Sequence, residues 1–208
     1  MTTTARSTAS ATASKALLAA ALLVWAAPPA FAQAIEKRAE ACFACHGGKG
    51  ESQIALTPSL GGMPSFFVVA QLFLFRDGRR GKLATPMDAI AKGMTDDDLR
   101  AWGDFIARLP PPGPPAKAAD PARFARGRAI VEKQRCTSCH NPDFSGREQM
   151  PRLANQREDY LLKSMRDYKS GARIGYGSAT MGEVMAELRD AELADLAHFL
   201  AHLPAKKS

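Results

Sequence analysis

Apolar side chains recur every three or four positions near the end of both halves of this 208-residue chain. In the first half they are Leu99, Trp102, Ile106 and Leu109. Thr95 precedes them and Asp98 follows it by three positions, which is the capping-box pattern of a helix start. The pattern returns over 193–204, where Asp190 is the predicted N-cap. The spacing predicts a terminal helix in each half, with its apolar face toward a core.

The two terminal helices belong to a longer internal repeat. Residues 99–110 match residues 193–204 at an offset of 94 positions, and the segments before them match with a one-residue slip. An apolar stripe predicts an opening helix in the second half. Its members are Phe124, Gly127, Ile130 and Val131. Nothing in the first half matches Phe124, so its opening helix is predicted to be short and to start at about residue 35. We expect an all-α fold of two tandem domains, each wrapped around one cofactor.

Proline dominates the connection between the halves. Residues 110–121 include six prolines and one glycine, a composition that blocks helix and favours extended backbone. We expect a semi-rigid linker over 111–120, between a first domain over 33–110 and a second over 121–208. Domains of about 80–90 residues have small cores, which a large apolar cofactor would fill.

The first 32 residues have the composition of an export signal. Arg6 and Lys15 are their only charges, and an apolar run spans 16–27. Ala30 and Ala32 are small residues of the kind that a signal peptidase reads, so cleavage after Ala32 and a periplasmic location are predicted. The alternative is an uncleaved membrane anchor, but the run is shorter than the about 20 residues that span a bilayer.

All four cysteines lie in two copies of the motif Cys-x-x-Cys-His. The copies consist of Cys42, Cys45 and His46, and of Cys136, Cys139 and His140. This spacing suits c-type haem, because two thiols form thioether bonds to the vinyl groups and the imidazole is an axial ligand of iron. Two cysteine pairs in a zinc site usually lie within about 15–20 residues, and a thioredoxin-like site needs no following histidine. The sequence therefore predicts two covalently bound haem c groups.

One methionine in each half could supply the second axial ligand. Met87 and Met181 each lie 45 residues after the first cysteine of their half and 12 residues before the first leucine of the terminal helix. Methionine sulfur raises the reduction potential of haem and closes the iron to small molecules. The alternative is that both are core methionines. Four competing methionines have no methionine at the equivalent position of the other half. They are Met63, Met94, Met150 and Met185.

Over residues 35–205 the chain resembles the dihaem class I cytochromes c and is similar to cytochrome c4. The resemblance rests on both Cys-x-x-Cys-His motifs, on Pro-x-Leu after each, on the methionine loops and on the closing leucine-rich helices. It implies that the Pro58 and Pro151 carbonyl groups accept hydrogen bonds from the axial histidine rings and so orient them. A plain loop turn is the alternative for both prolines. A sibling family, the dihaem subunits of bacterial dehydrogenases, stays open.

Charge is distributed unevenly along the chain, whose net charge is +7. Residues 33–110 carry 10 basic and 9 acidic side chains, whereas 121–208 carry 15 and 11. Basic surfaces speed docking with acidic redox partners, and the effect falls with salt. The densest basic segment, residues 76–80, could hold a haem propionate or be an exposed loop. His198 and His202, one turn apart on the last helix, could bind a metal.

Electron transfer is the expected activity, because an iron with two protein ligands has no open position for a substrate. The chain is therefore expected to be an electron carrier between redox proteins, with no small-molecule substrate and no nucleic-acid partner. Candidate partners are a dehydrogenase, a membrane respiratory complex and a terminal oxidase. Two alternatives stay open. One is an electron-transfer subunit of a dehydrogenase complex, and the other is a dihaem peroxidase, which would need one open iron and nearby acid–base groups.

Overall fold

The computed structural model describes residues 1–3, 30–81 and 85–204, and the regular elements among them are helices joined by loops. The helices are α1 (Ala30–His46), α2 (Ser65–Arg76), α3 (Pro86–Ala91), α4 (Asp96–Arg108), α5 (Pro121–Lys133), α6 (Thr137–His140), α7 (Glu158–Lys169), α8 (Ser178–Ala186) and α9 (Asp190–Ala201). Within those ranges, β pairing is limited to two isolated bridges. The predicted all-α fold class is confirmed.

Most of the predicted export signal lies outside the described residues. Of residues 1–32, only the first three and the start of α1 are described. Cleavage after Ala32 therefore stays a prediction. Residues 82–84 and 205–208 also lie outside the described part of the chain. Among the helices that are described, none combines the length and the apolar character needed to cross a membrane.

The predicted repeat is seen as two sets of helices in the same order. Helices α2, α3 and α4 of the first half correspond to α7, α8 and α9 of the second. Buried apolar residues form a first cluster between positions 35 and 106 and a second cluster between positions 130 and 201. Helix α4 packs against α2 in the first, and α9 packs against α5 and α7 in the second. The boundaries at 33–110, 111–120 and 121–208 stay a prediction.

The terminal helices start in different ways. At α4 the Asp98 N–H donates to Thr95 Oγ1 (3.1 Å) and the Thr95 N–H donates to the Asp98 carboxylate (2.9 Å), so the predicted capping box is confirmed. At α9 the predicted N-cap is wrong, because Asp190 is already helical and the N-cap is Arg189. The Asp190 carboxylate is instead engaged by Arg166 Nε at 2.7 Å, which draws it away from the helix end.

Two other elements differ from the predictions. Helix α1 begins at Ala30 rather than at about 35, because an alanine-rich stretch has high helix propensity and needs no counterpart in the second half. Met87 and Met181 lie within the short helices α3 and α8 rather than in loops. Helix α3 starts just before Met87, since Pro86 occupies its first position and Thr85 its N-cap.

Glycine permits the closest helix contact in each half. Helix α5 approaches α9 at Gly127, where an added Cβ would lie 2.4 Å from the Asp195 carbonyl oxygen and 2.5 Å from the Phe199 Cβ. Helix α4 approaches α2 at Gly103, where an added Cβ would lie 2.8 Å from the Ser65 carbonyl oxygen. All three distances are shorter than a carbon atom tolerates, so only glycine allows these backbones to approach so closely.

The proline-rich linker is anchored at both ends. A Cβ at Gly61 would lie 2.1 Å from the Pro110 carbonyl oxygen, so the chain enters the linker in close contact with the first half. At the other end the Asp120 N–H donates to His198 Nε2 (2.9 Å), and the Asp120 carboxylate accepts from the Arg123 N–H (2.9 Å) and caps α5. The linker is therefore fixed against both halves.

Hydrogen bonds join the two halves where a loop of the first half meets the start of α7. The Ser59 N–H donates to Gln156 Oε1 (2.8 Å), and Gln156 Nε2 donates to the Ser59 carbonyl oxygen (2.8 Å). Both residues are buried. Two further contacts join Arg157 to the carbonyl oxygen of Ser52, and Asp159 to the N–H of Leu56. We call this set the loop–α7 contact.

Two candidate cofactor sites

The first candidate site lies at the end of α1. His46 is 7% exposed, and its Nδ1 lies 2.8 Å from the Pro58 carbonyl oxygen. A carbonyl oxygen can only accept a hydrogen bond, so Nδ1 carries the proton and Nε2 keeps a lone pair that a metal can use. Burial lowers the pKa of His46 by more than the bond to Pro58 raises it, which keeps the ring neutral.

Backbone hydrogen bonds hold the loop that carries Pro58. The Leu60 N–H donates to the Gly50 carbonyl oxygen at 2.7 Å, and the Ser52 N–H donates to Ser59 Oγ at 3.1 Å. Gly50 adopts a φ of 78°, a left-handed conformation that glycine accepts without strain. These bonds hold the Pro58 carbonyl group in position.

The second candidate site repeats this arrangement. His140 is 7% exposed at the end of α6, and its Nδ1 lies 3.2 Å from the Pro151 carbonyl oxygen. Burial again lowers the pKa of the imidazole more than the hydrogen bond raises it. The Leu153 N–H donates to the Phe144 carbonyl oxygen (2.9 Å), which fixes the loop after Pro151. The structure thus brings together both histidine–proline pairs that the sequence singles out.

Each motif has one thiol against a core and one at the surface. Cys42 and Cys136 are partly buried and pack against the cluster of their own half, whereas Cys45 and Cys139 are exposed. Burial raises the pKa of Cys42 and of Cys136, so both are thiols at neutral pH. No two of the four cysteines are joined by a disulfide. Both pairs are therefore available for thioether bonds.

Met87 and Met181 occupy equivalent places beside the two clusters. Met87 lies in the first turn of α3 against the first cluster, and Met181 lies in α8 against the second. Both side chains are partly buried. Met63 and Met185 are core residues, 6% and 2% exposed. Partial burial suits a methionine that contacts a bound group as well as the core.

Guanidinium nitrogens in the interior of both halves fit a cofactor that carries carboxylate groups. Arg152 Nε, next to Pro151, is buried and has no hydrogen-bond partner among the described residues. Arg80 and Arg173 are 7% and 6% exposed, and their hydrogen bonds run to neutral side chains. Haem carries propionate carboxylates beside its vinyl groups. The residues present therefore fit a haem in each half.

A cluster of possible metal ligands on α7 and α9 has a structural role instead. Glu158, His198 and His202 lie close together. His198 Nδ1 donates to Glu158 (2.9 Å), while its Nε2 accepts from the Asp120 N–H. Arg123 forms an ion pair with Glu158 at 2.8 Å, and His202 Nδ1 donates to the His198 carbonyl oxygen. These bonds occupy both carboxylate oxygens of Glu158 and both ring nitrogens of His198, and they fasten the linker to the second half.

Sequence reasoning recognised only part of the polar interior. It singled out residues 76–80 but left open whether they are buried, and in the structure Arg80 is buried whereas Arg79 is exposed. It missed Arg173 altogether. The internal repeat could have identified Arg173, because Arg80 and Arg173 are 93 positions apart. Pro58 and Pro151 are separated by the same 93 positions. A buried charge at the same place in both halves indicates a shared role.

Each copy of the helical repeat carries a Cys-x-x-Cys-His motif whose histidine is buried and bonded to a proline carbonyl group. These features define a c-type cytochrome with two haem sites. The family profile described as Cytochrome c matches residues 124–204. The thiosulfate dehydrogenase electron acceptor of Thiomonas intermedia (strain K12) is 32% identical to this chain, and the match covers 88% of this chain and 87% of the relative. The cytochrome c4 of Thiocapsa roseopersicina is 29% identical, and the match covers 78% of this chain and 86% of the relative. The structure of reduced recombinant cytochrome c4 from Pseudomonas stutzeri matches with a TM-score of 0.71 at 25% identity, and the match covers 83% of this chain and 98% of that structure. The chain belongs to the cytochrome c family, as a dihaem electron-transfer protein of the cytochrome c4 type.

This membership confirms the predicted cofactors and the predicted class of activity. The protein carries two covalently bound haem c groups, and it transfers electrons. An electron-transfer protein of this class has redox proteins as its partners.

Proposed function

We propose that each half holds one haem between a histidine and a methionine. The thioether bonds form at Cys42 and Cys45 in the first half and at Cys136 and Cys139 in the second. The axial ligands are His46 with Met87 and His140 with Met181. Pro58 and Pro151 orient the imidazoles. The observation that carries this proposal is the hydrogen-bond distance from each histidine Nδ1 to a proline carbonyl oxygen, because that oxygen needs the Nδ1 proton and Nε2 is left for iron.

Two protein ligands make each haem an electron carrier rather than a catalytic centre. With both axial positions filled, no substrate reaches the iron, and only the oxidation state changes. The exposed thiols Cys45 and Cys139 put the points of attachment at the surface, where a partner can approach. We therefore propose a carrier and not a peroxidase. Slow and weak cyanide binding to the native protein is expected, and tight binding would favour the enzyme instead.

Spectroscopy of the ferric protein tests the ligands directly. Methionine ligation gives ferric haem a weak far-red absorption band, which we expect from both haems. Met181→Leu should remove about half of that band, because leucine keeps the volume but cannot bind iron. Met185→Leu is the matched control, since Met185 is a core residue on the same helix. A band of full strength in Met181→Leu would show that this methionine is not a ligand.

We propose that the protein works in the periplasm after residues 1–32 are removed. The support is the apolar segment over 16–27 followed by small residues at the predicted cleavage position. The exported protein should have the mass of a chain that starts at Gln33 plus two haems. A mass that includes the first 32 residues would indicate a retained anchor.

We further propose that a dehydrogenase acting on reduced sulfur compounds donates the electrons, and that a membrane respiratory complex or terminal oxidase accepts them. The support is the Thiomonas relative, whose name describes it as a thiosulfate dehydrogenase electron acceptor. Purified thiosulfate dehydrogenase with thiosulfate should reduce both haems. The rate should fall as salt rises, because the more basic second half favours an acidic partner. No reduction above the rate seen without the dehydrogenase would rule out this donor.

A further inference from the structure

His198 fastens the linker to the second half through both of its ring nitrogens. It is 5% exposed on α9, and its Nε2 accepts the Asp120 N–H at 2.9 Å. On the other side of the ring, Nδ1 lies 2.9 Å from the carboxylate of Glu158, the first residue of α7. A main-chain N–H can only donate a hydrogen bond, so Nε2 carries no proton and Nδ1 carries one. The two partners therefore hold the ring in one neutral tautomer.

A second proton on the His198 ring is incompatible with this arrangement. It would point an N–H of the imidazolium at the Asp120 N–H, and two donors cannot form a hydrogen bond with each other. Protonation therefore removes the bond to the linker, whereas the bond to Glu158 is kept and becomes charge-assisted. Histidine is the side chain that ordinarily changes its charge between pH 5 and pH 8. The attachment of the linker thus depends on a group that titrates under mild conditions.

His198 also lies next to the loop–α7 contact. Its partner Glu158 stands between Arg157 and Asp159, whose side chains bond to the main chain of the first half. Its other partner, Asp120, is the last residue of the linker and the N-cap of α5. The two connections between the halves, the linker and the loop–α7 contact, therefore come together at one imidazole ring.

The first half shows that the helical repeat folds without a histidine at this place. Asp104 is the residue 94 positions before His198, and Arg108 is the residue 94 positions before His202. The Asp104 carboxylate accepts from the Ser65 hydroxyl within its own half at 2.8 Å. The histidine is therefore specific to the half that receives the end of the linker.

The charged groups around His198 come from every element packed against it. They are Asp120 at the end of the linker, Arg123 and Arg126 of α5, Glu158 of α7, and Asp195 and His202 of α9. The Arg123 N–H lowers the pKa of Asp120. The Arg126 guanidinium lowers the pKa of Asp195. Both carboxylates therefore stay ionised above pH 5. Only the second histidine shares the residue type that titrates between pH 5 and pH 8, so the experiment has to separate the two rings.

We propose that His198 is a pH-sensitive latch, which holds the end of the linker on the second half when the ring is neutral and releases it when the ring is protonated. The state that binds fewer protons gains stability as the pH rises, so the latch is closed at high pH and opens as the pH falls. The apolar cluster of each half does not depend on this bond. Mild acid therefore loosens the connection between the halves while each half stays folded.

Hydrogen exchange of the Asp120 amide in the purified dihaem protein tests the latch directly. After correction for the intrinsic pH dependence of exchange, the protection of this N–H should fall about tenfold between pH 7.5 and pH 5.5. The Asp98 N–H, which donates to Thr95 in the first half, should keep constant protection over this range. Trypsin cleavage after Lys117, which is exposed in the linker, gives a second readout.

Three variants assign the pH dependence to one ring. His198→Gln supplies a side-chain oxygen that accepts the Asp120 N–H at any pH, so its protection should be constant. The trypsin rate of each protein is divided by that of His198→Gln at the same pH, which cancels the pH dependence of the protease. His202→Gln is the matched control: it removes the neighbouring histidine but no bond to the linker, so the full pH dependence should remain. Glu158→Gln removes the carboxylate that favours the charged ring, so release should require a lower pH.

Each outcome decides for or against the latch. Loss of protection in the wild type and in His202→Gln, with constant protection in His198→Gln, supports it. Constant protection in the wild type overturns it, and so does a pH dependence that survives in His198→Gln or disappears in His202→Gln. If His198→Gln does not fold, Glu158→Gln decides instead, because release at the same pH as in the wild type would show that the ring bonded to Glu158 is not the group that titrates.

Discussion

The buried amide of Gln156 offers the sharpest test of how the two halves are joined. Gln156→Leu keeps the volume of the side chain but removes both hydrogen bonds to the Ser59 main chain. A buried N–H and a buried carbonyl group are then left without partners. Each such group costs about 1–3 kcal/mol, and water entering the boundary recovers part of this, so we expect the free energy of unfolding to fall by about 2–4 kcal/mol.

Urea unfolding of the oxidised dihaem protein measures this change. Circular dichroism reports the helices, and haem absorbance reports the two sites. With the loop–α7 contact weakened, the halves should also unfold less cooperatively, so the two signals should separate more than in the wild-type protein. Gln134→Leu serves as the control, because its hydrogen bond to Glu187 is exposed (3.2 Å) and should contribute little.

A loss of stability no larger than that of Gln134→Leu would refute this reasoning. It would mean that water satisfies the Ser59 main chain as well as the amide does, and that the boundary depends on other contacts. Because Ser59 follows Pro58, the absorbance of the first haem should also respond to the substitution more than that of the second.

Two further substitutions test the packing within each half. Gly127→Ala places a Cβ 2.4 Å from the Asp195 carbonyl oxygen, so we expect the free energy of unfolding, measured by thermal unfolding, to fall by about 1–3 kcal/mol. Gly113→Ala is the control and should leave stability unchanged, because a Cβ at that position would meet nothing within 4 Å. The Thr95 N–H is the main reason that the pKa of Asp98 falls from its ordinary value of 3.8 to about 2. The stability that the ionised Asp98 carboxylate contributes is present at pH values above its ordinary pKa and is lost as the pH falls toward about 2. Asp98→Asn should therefore lower the free energy of unfolding by about 1 kcal/mol at pH 7. It should also flatten the loss of stability between about pH 4 and pH 2. A Gly127→Ala protein as stable as the wild type, or an unchanged acid profile in Asp98→Asn, would contradict these assignments.

The helical repeat could be predicted because it depends on local patterns. The apolar spacing of α4 and α9 and the Thr95–Asp98 capping box involve residues within two turns of one another, and both are found in the structure. Asp190 failed as an N-cap for a reason that local spacing does not contain. Its carboxylate is engaged by Arg166, 24 positions earlier, which was not visible in the sequence around the helix.

The candidate sites likewise contain some residues that local spacing identifies and others that it does not. The histidines, cysteines and methionines could be named from spacing alone, because covalent attachment of haem needs a fixed motif. The partners across the boundary could not, since Ser59 and Gln156 are 97 positions apart and neither residue type indicates an interface. Arg80 and Arg173 lie between these cases. Their equivalent positions could be read from the repeat, but their burial depends on how the halves meet.

The loop–α7 contact has an evolutionary consequence. The first half contributes main-chain groups of residues 52, 56 and 59, whereas the second contributes the side chains of Gln156, Arg157 and Asp159. Main-chain groups are present whatever residue occupies a position, so these contacts tolerate sequence drift on one side only. Only one copy of the repeat therefore needs particular side chains at this boundary. The position equivalent to Gln156 in the other copy is Met63, which lies in its own core.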